Sequence, residues 1–193
     1  ESSIAQTPYM MYSWQGPDYR NDSAATIAAD VFSTILGLNS SKWQQALVDK
    51  GLASAAQFGY QTNRYVGPIT LFAVPNPNKL KECHEEIMNQ ISQWTDPAYF
   101  TDAQLEDARA VLKRSKIRNS EKPSTLSMQL TYQWCSTSLD YFTDLNDNYM
   151  KVTREDIQKY IKTYISGKNY VAGMVINSEM NKSFNPGSFF KTR

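Results

Sequence analysis

The sequence has 193 residues, 41% hydrophobic, 12% aromatic and 20% charged, with a net charge of +1. That is the composition of a globular protein able to build a core, not of a disordered one, and its charge balance carries no footprint for a phosphate backbone. No run approaches the roughly 18 apolar residues of a membrane-spanning helix, and two cysteines are too few for a disulfide framework.

The sequence opens at Glu1 with neither Met nor a signal peptide. Residues 1–7 (ESSIAQT) read as a linker entering a domain, as in a piece of a longer or processed protein. Residues 8–15 (PYMMYSWQ) predict a strand, which Gly16-Pro17 ends. Asp22 then N-caps a helix with Ile27, Val31 and Ile35 on its apolar face, closed by Gly37. Ser40-Ser41 starts a short helix over residues 42–49, which Gly51 stops. Residues 53–62 and 66–74 predict two strands joined as a hairpin near Asn63, and Pro75-Asn76-Pro77-Asn78 breaks the pattern.

Helices dominate from there on. Leu80, Cys83, Ile87, Ile91 and Trp94 form a stripe at spacings of three and four. Thr101-Asp102-Ala103-Gln104 is a capping box opening a helix with Leu105, Ala108 and Leu112 inside. Residues 124–142 read as one long helical segment after Pro123. Thr153 caps another helix, with Ile157, Tyr160, Ile161 and Tyr164 facing the core, and Gly167 ends it. Residues 170–176 (YVAGMVI) predict a last strand. Strands and helices segregate rather than alternate, which predicts an α+β fold: a two-layer domain, its mostly antiparallel sheet packed against several helices. The expected organisation is a single domain over residues 8–178 and a C-terminal tail over 179–193.

The motifs of common active sites are missing. There is no phosphate-binding G-x-x-x-x-G-K-[ST], no G-x-G-x-x-G, no G-x-S-x-G and no C-x-x-C. A catalytic zinc ion commonly takes three protein ligands, and His84 is the one histidine. The residues three and four positions from it are Leu80, Lys81, Ile87 and Met88, none a metal ligand type, so His84 reads as a helix-surface residue. Asp140, Asp144 and Asp147 lack the Gly and Glu of a calcium loop and read as a solvated helix end. Tyr9, Tyr12, Trp14 and Trp43 read as core aromatics. Lys113, Arg114, Lys116 and Arg118 read as the C-terminal face of a helix. Cys83 and Cys135 could form one bridge, but two buried thiols is the preferred reading.

Longer patterns carry a family resemblance. Trp14-Gln15-Gly16-Pro17 is followed by Asp22 and an Ala-rich helix ending Ile35-Leu36-Gly37. Ser40-Ser41-Lys42-Trp43-Gln44-Gln45-Ala46-Leu47 leads into Lys50-Gly51-Leu52-Ala53. Further on come Thr101-Asp102-Ala103-Gln104-Leu105-Glu106-Asp107-Ala108-Arg109, then Val152-Thr153-Arg154-Glu155-Asp156-Ile157, then Tyr164-Ile165. In order and spacing, over nearly the whole sequence, these resemble the C-terminal-type repeat domain of the insulinase/pitrilysin zinc metallopeptidases, which include the mitochondrial processing peptidases. The resemblance implies a metallopeptidase-repeat, processing-peptidase-like fold. It also implies that zinc sits in a separate partner domain or subunit bearing H-x-x-E-H, with an Arg and a Tyr from a facing domain clamping the peptide substrate.

The zinc motif H-x-x-E-H is absent from this sequence. Aligning Gly51-Leu52-Ala53 with the family's G-L-A puts Leu47 where the Arg stands and Ser54 where the Tyr stands, so the clamping pair is lost. The expectation is therefore a non-catalytic domain, with no catalytic or metal-binding residues of its own. It completes the peptide-binding chamber of a zinc metalloendopeptidase, and Ser54, Phe58 and Tyr60 are its candidate substrate contacts. The family's habit suggests a bacterial, periplasmic or secreted parent. The alternative is a scaffold or protein-interaction module derived from the same fold. Neither reading involves nucleic acid or a membrane span.

Overall fold

The computed structural model describes residues 7–183. The expected linker, except Thr7, and residues 184–193 of the expected tail lie outside the described residues. Strand β1 (Tyr9–Gly16) leads into helix α1 (Tyr19–Gly37), and a short helix α2 (Lys42–Gln44) continues as a π-helical turn (Gln45–Asp49). Strands β2 (Ala53–Tyr60) and β3 (Gly67–Pro75) follow, then helices α3 (Leu80–Gln93), α4 (Asp102–Ser120), α5 (Pro123–Ser136), α6 (Leu139–Lys151) and α7 (Arg154–Tyr164). Strand β4 (Val171–Val175) and a short helix α8 (Ser178–Ser183) complete the described residues. The strands form a four-stranded sheet in the order β2-β3-β1-β4, antiparallel at every pairing. This is the expected α+β, two-layer architecture.

Local chemistry sets most element boundaries. Helix α1 begins earlier than the sequence suggests, because the Asp18 side chain accepts from Asn21 N. Asp22 still acts as a cap: its backbone is non-helical inside α1, and its carboxylate accepts from Ala25 N at 3.1 Å. The helix is thus one capped turn followed by a second capped helix. Thr101 and Thr153 each form a complete capping box, with Gln104 and Asp156 respectively. Gly51, at φ 66°, turns the backbone from the π-helical turn into β2. Gly16 and Gly67 face each other where β1 and β3 meet; a Cβ on Gly16 would lie 2.6 Å from the Gly67 carbonyl oxygen.

One segment differs from expectation. Residues 124–142 do not form a single helix. Thr137 leaves the helical region, and Ser138 caps a new helix, its hydroxyl accepting from Tyr141 N at 3.0 Å. Asp140, Asp144 and Asp147 are exposed, as expected, but are spread along α6 rather than gathered at one helix end. Lys116 of α4 reaches across to the Phe142 and Thr143 carbonyls, so part of the basic run ties two helices together.

The core lies between the sheet and the helices. Met10, Tyr12 and Trp14 of β1 and Ile69, Leu71 and Ala73 of β3 all point into it, as period-two alternation requires. At its centre Trp94 is fully buried, with ring centroids 5.3 Å from Phe32, 5.1 Å from Phe58 and 5.6 Å from Trp43. Of the aromatics expected inside, Tyr12, Trp14 and Trp43 are buried and Tyr9 is 40% exposed. Cys83 and Cys135 are both free thiols. Cys83 is buried, and that burial pushes its pKa up to about 12; Cys135 is exposed, so the two are neither bridged nor both buried. Among the described residues, no helix is long and apolar enough to cross a membrane.

Candidate functional site

The region where the resemblance places a substrate clamp is built around β2. Ser41 caps α2 by accepting from Gln44 N, and its own hydroxyl donates to the Leu36 carbonyl at 2.9 Å. This fixes Trp43 and Gln44 so that both donate to the Ala56 carbonyl of β2, at 3.1 and 2.9 Å. That carbonyl has both lone pairs engaged by side chains and offers no acceptor to an added strand. Leu47, in the π-helical turn, is fully buried. It fills the core at the position that the resemblance sets against an arginine.

The resemblance sets Ser54 at the tyrosine position of that clamp. Ser54 is exposed, and its hydroxyl donates to the Val74 carbonyl at 3.3 Å. Phe58 points the other way, into the core, edge-on to Phe32 and Trp94. Tyr60 is half-buried and donates to the Pro17 carbonyl at 2.9 Å, and burial raises its pKa above the usual tyrosine range. The structure therefore does not bring Ser54, Phe58 and Tyr60 together on one surface. The cause is a register shift between Ala53 and Ala55: a bulge adds one residue and reverses the alternation along the strand. Ala53 and Ala56 both face inward, leaving Ser54 outside while Phe58 and Tyr60 follow Ala56.

The lone histidine is also placed differently from expectation. His84 is half-buried rather than a plain surface residue. Its Nδ1 lies 2.7 Å from the Tyr12 hydroxyl, and the two rings stack at 5.9 Å. Burial lowers its pKa, opposed by nearby Glu85. The pair pins α3 to β1 and favours a neutral imidazole. Among the described residues, no group of three or more His, Cys, Asp or Glu side chains could hold a metal ion.

The sheet's second face carries what the sequence did not reveal. Tyr9, Met11 and Ser13 of β1 sit opposite Val175, Gly173 and Val171 of β4, on the side away from the core. Met11, Val171 and Val175 are 48%, 76% and 45% exposed, and Tyr9 stacks on Phe72 at 5.5 Å. This is a contiguous apolar surface across three strands. Its only sequence signal is that strand residues predicted to alternate are apolar at both parities.

An α+β domain whose antiparallel four-stranded sheet carries its helices on one face has the fold of a metallopeptidase-repeat domain. The protein belongs to the peptidase M16 inactive domain family, whose pattern matches residues 2–112.

Solved structures agree in fold. A protease from Helicobacter pylori is 20% identical, with a TM-score of 0.81 over 91% of this chain and 42% of that one. The inactive peptidase domain of a Bordetella parapertussis protein is 19% identical, with a TM-score of 0.77 over 91% of this chain and 93% of that one. The peptidase M16 inactive domain from Pseudomonas fluorescens is 16% identical, with a TM-score of 0.68 over 90% of this chain and 42% of that one. The sequence thus spans less than half the length of the Helicobacter protease. A search of curated protein sequences finds no match.

Proposed function

We propose that this domain is the silent half of a zinc metalloendopeptidase. It docks against a zinc-bearing domain of the same family and completes the chamber that holds the peptide substrate. The observation that carries this reading is the apolar open face of the sheet, with Met11, Val171 and Val175 all more than 40% exposed. Contiguous apolar surface of this kind marks an interface. Membership of an inactive-domain family supports a partner that supplies the zinc and the water-activating chemistry. In this reading Ser54, exposed at the bulge of β2, is the one sequence-derived contact candidate left on the open surface. The same reading places the parent protein in the periplasm of a bacterium or outside the cell, which cell fractionation with an antibody to this domain tests directly.

The functional test is reconstitution. This domain is mixed with one carrying H-x-x-E-H from the same parent protein or a neighbouring gene, and cleavage of a fluorogenic peptide is followed. The expected result is a stable pair and a rise in activity over the zinc-bearing domain alone. A pair that fails to form and an activity that does not rise overturn the proposal and leave the scaffold reading in its place.

A further inference from the structure

The turn joining β2 to β3 and the first turn of α1 enclose an open cleft of about 530 Å³ lined by Tyr19, Arg20, Ser23, Arg64 and Tyr65. It shares no residue with the family's clamp positions at Leu47 and Ser54. Two guanidiniums line it, yet the ion pairs among the described residues are Lys81–Glu85, Arg109–Glu106 and Arg154–Asp102. Neither Arg20 nor Arg64 belongs to one. The acids nearest in sequence keep their charge but form no ion pair with either arginine. Both oxygens of Asp18 accept from Asn21, and those of Asp22 accept from Ala25 N and the Tyr164 hydroxyl.

The cleft is held in shape on both sides. Tyr19 N donates to the Asn63 carbonyl at 2.9 Å, tying the turn to α1. From α5, the Tyr132 hydroxyl lies 2.6 Å from the Thr62 carbonyl oxygen and accepts from Gln61 Nε2 at 3.2 Å. Within the turn, Asn63 Nδ2 donates to the Val66 carbonyl at 3.0 Å. The Arg20 guanidinium sits 5.8 Å from the centre of the Tyr65 ring, a cation–π contact that limits where its fork can swing.

We propose that this cleft binds a carboxylate carried by a peptide, at its C-terminus or on an acidic side chain. A pair of planar guanidinium forks matches carboxylate oxygens, Ser23 adds a hydroxyl donor, and Tyr65 supplies an aromatic wall for the adjoining residue. The choice of a peptide as carrier rests on the chamber reading above; the arginine pair, which belongs to no ion pair among the described residues, does not. The surface thereby gains a cationic anchor that the missing Arg/Tyr clamp no longer supplies.

The probes are three short alanine peptides, titrated at low ionic strength because exposed charge pairs are screened by salt. One has a free C-terminal carboxylate, one is its C-terminal amide, and one is an amide with a single internal Glu. Binding is read from the backbone amide signals of residues 19–23 and 62–66, which every variant keeps, and in the parent domain also from the guanidinium Nε–H signals of Arg20 and Arg64. The free acid, the Glu amide or both are expected to shift those signals, which tells peptide terminus from acidic residue, while the neutral amide does not. R20A/R64A is expected to weaken binding by about tenfold or more, as loss of two charge-assisted contacts implies, and Y65A by less. Both variants change residues on the rim of an open cleft, and circular dichroism checks that they fold.

Equal response to the neutral amide, no response to any peptide, or binding unchanged in R20A/R64A overturns the proposal. So does a shift with inorganic phosphate but none with the peptides. Reconstituted activity without carboxylate binding sinks this inference alone. Carboxylate binding without reconstitution sinks the chamber reading alone.

Discussion

The two faces of the sheet are made by the same strands and behave as different materials. On the helix side Met10, Tyr12, Ile69, Leu71 and Ala73 are all fully buried. One residue along in β1, Met11 is 48% exposed, and Val171 on neighbouring β4 is 76% exposed. The backbone and much of the composition are shared, so the contrast is not one of propensity. It records which face the described residues cover with helices and which they leave open. The covered face holds the fold together, and in the function proposed above the open face is where a partner acts. Substitutions on the two should therefore have opposite signatures.

The largest effect is expected at the centre of the covered face. Trp94→Ala removes a ring in contact with Phe32, Phe58 and Trp43 and leaves a cavity between α1, α2, α3 and β2. A loss of roughly 3–5 kcal/mol is expected, read as a fall in the urea midpoint of unfolding. A loss below about 1 kcal/mol would mean that the covered face is not the stabilising core described here.

Asp30 tests the same layer by charge. It lies mid-helix on α1, half-buried, accepting from the Tyr149 hydroxyl at 3.0 Å. Burial pushes its pKa from 3.8 up to about 7, with the Tyr149 hydrogen bond opposing the shift. Tyr60, Tyr141, Tyr149 and Tyr160 all feel its charge. Between these two pKa values the folded state holds a proton that the unfolded state has released. Stability should therefore fall as pH rises from about 4 to about 7 and then level off. Asp30→Asn keeps an acceptor for Tyr149 and removes the ionisation. It should flatten that slope and stabilise the domain by roughly 2–4 kcal/mol at pH 8, measured by urea unfolding at a series of pH values. An unchanged slope would show that another group sets the dependence.

How far the sequence could be read follows from the range of the forces involved. Features fixed within four residues were legible: the capping box at Thr101, the cap at Thr153, the helix start at Ser40-Ser41, and the helical stripe from Leu80 to Trp94. The break at Thr137 was also local, but the apolar pattern ran through it and hid the Ser138 cap. The candidate contacts were parted by strand parity. Ser54, Phe58 and Tyr60 share a face only if β2 is regular, and the bulge at Ala53/Ala55 arises from pairing with β3, which no local pattern encodes. Asp30 and the cleft between Arg20 and Arg64 depend on contacts between distant elements, which bring residues 19–23 beside residues 64–65.

The smallest stability effect is the one that most sharpens the contrast. Met11→Ser and Val171→Thr change side chains that face away from the core and touch no helix-side packing. Removing exposed apolar surface should leave stability within about 0.5 kcal/mol of the parent domain. The same pair should weaken association with the zinc-bearing domain in the reconstitution assay, because the buried apolar area each residue would contribute is lost there and not in the free domain. A double variant that pairs as tightly as the parent would locate the docking surface elsewhere. One that loses several kcal/mol of stability alone would show that the open face is already part of the fold. The free domain and the pair must both be measured, since an effect confined to the pair is what separates an interface from a core.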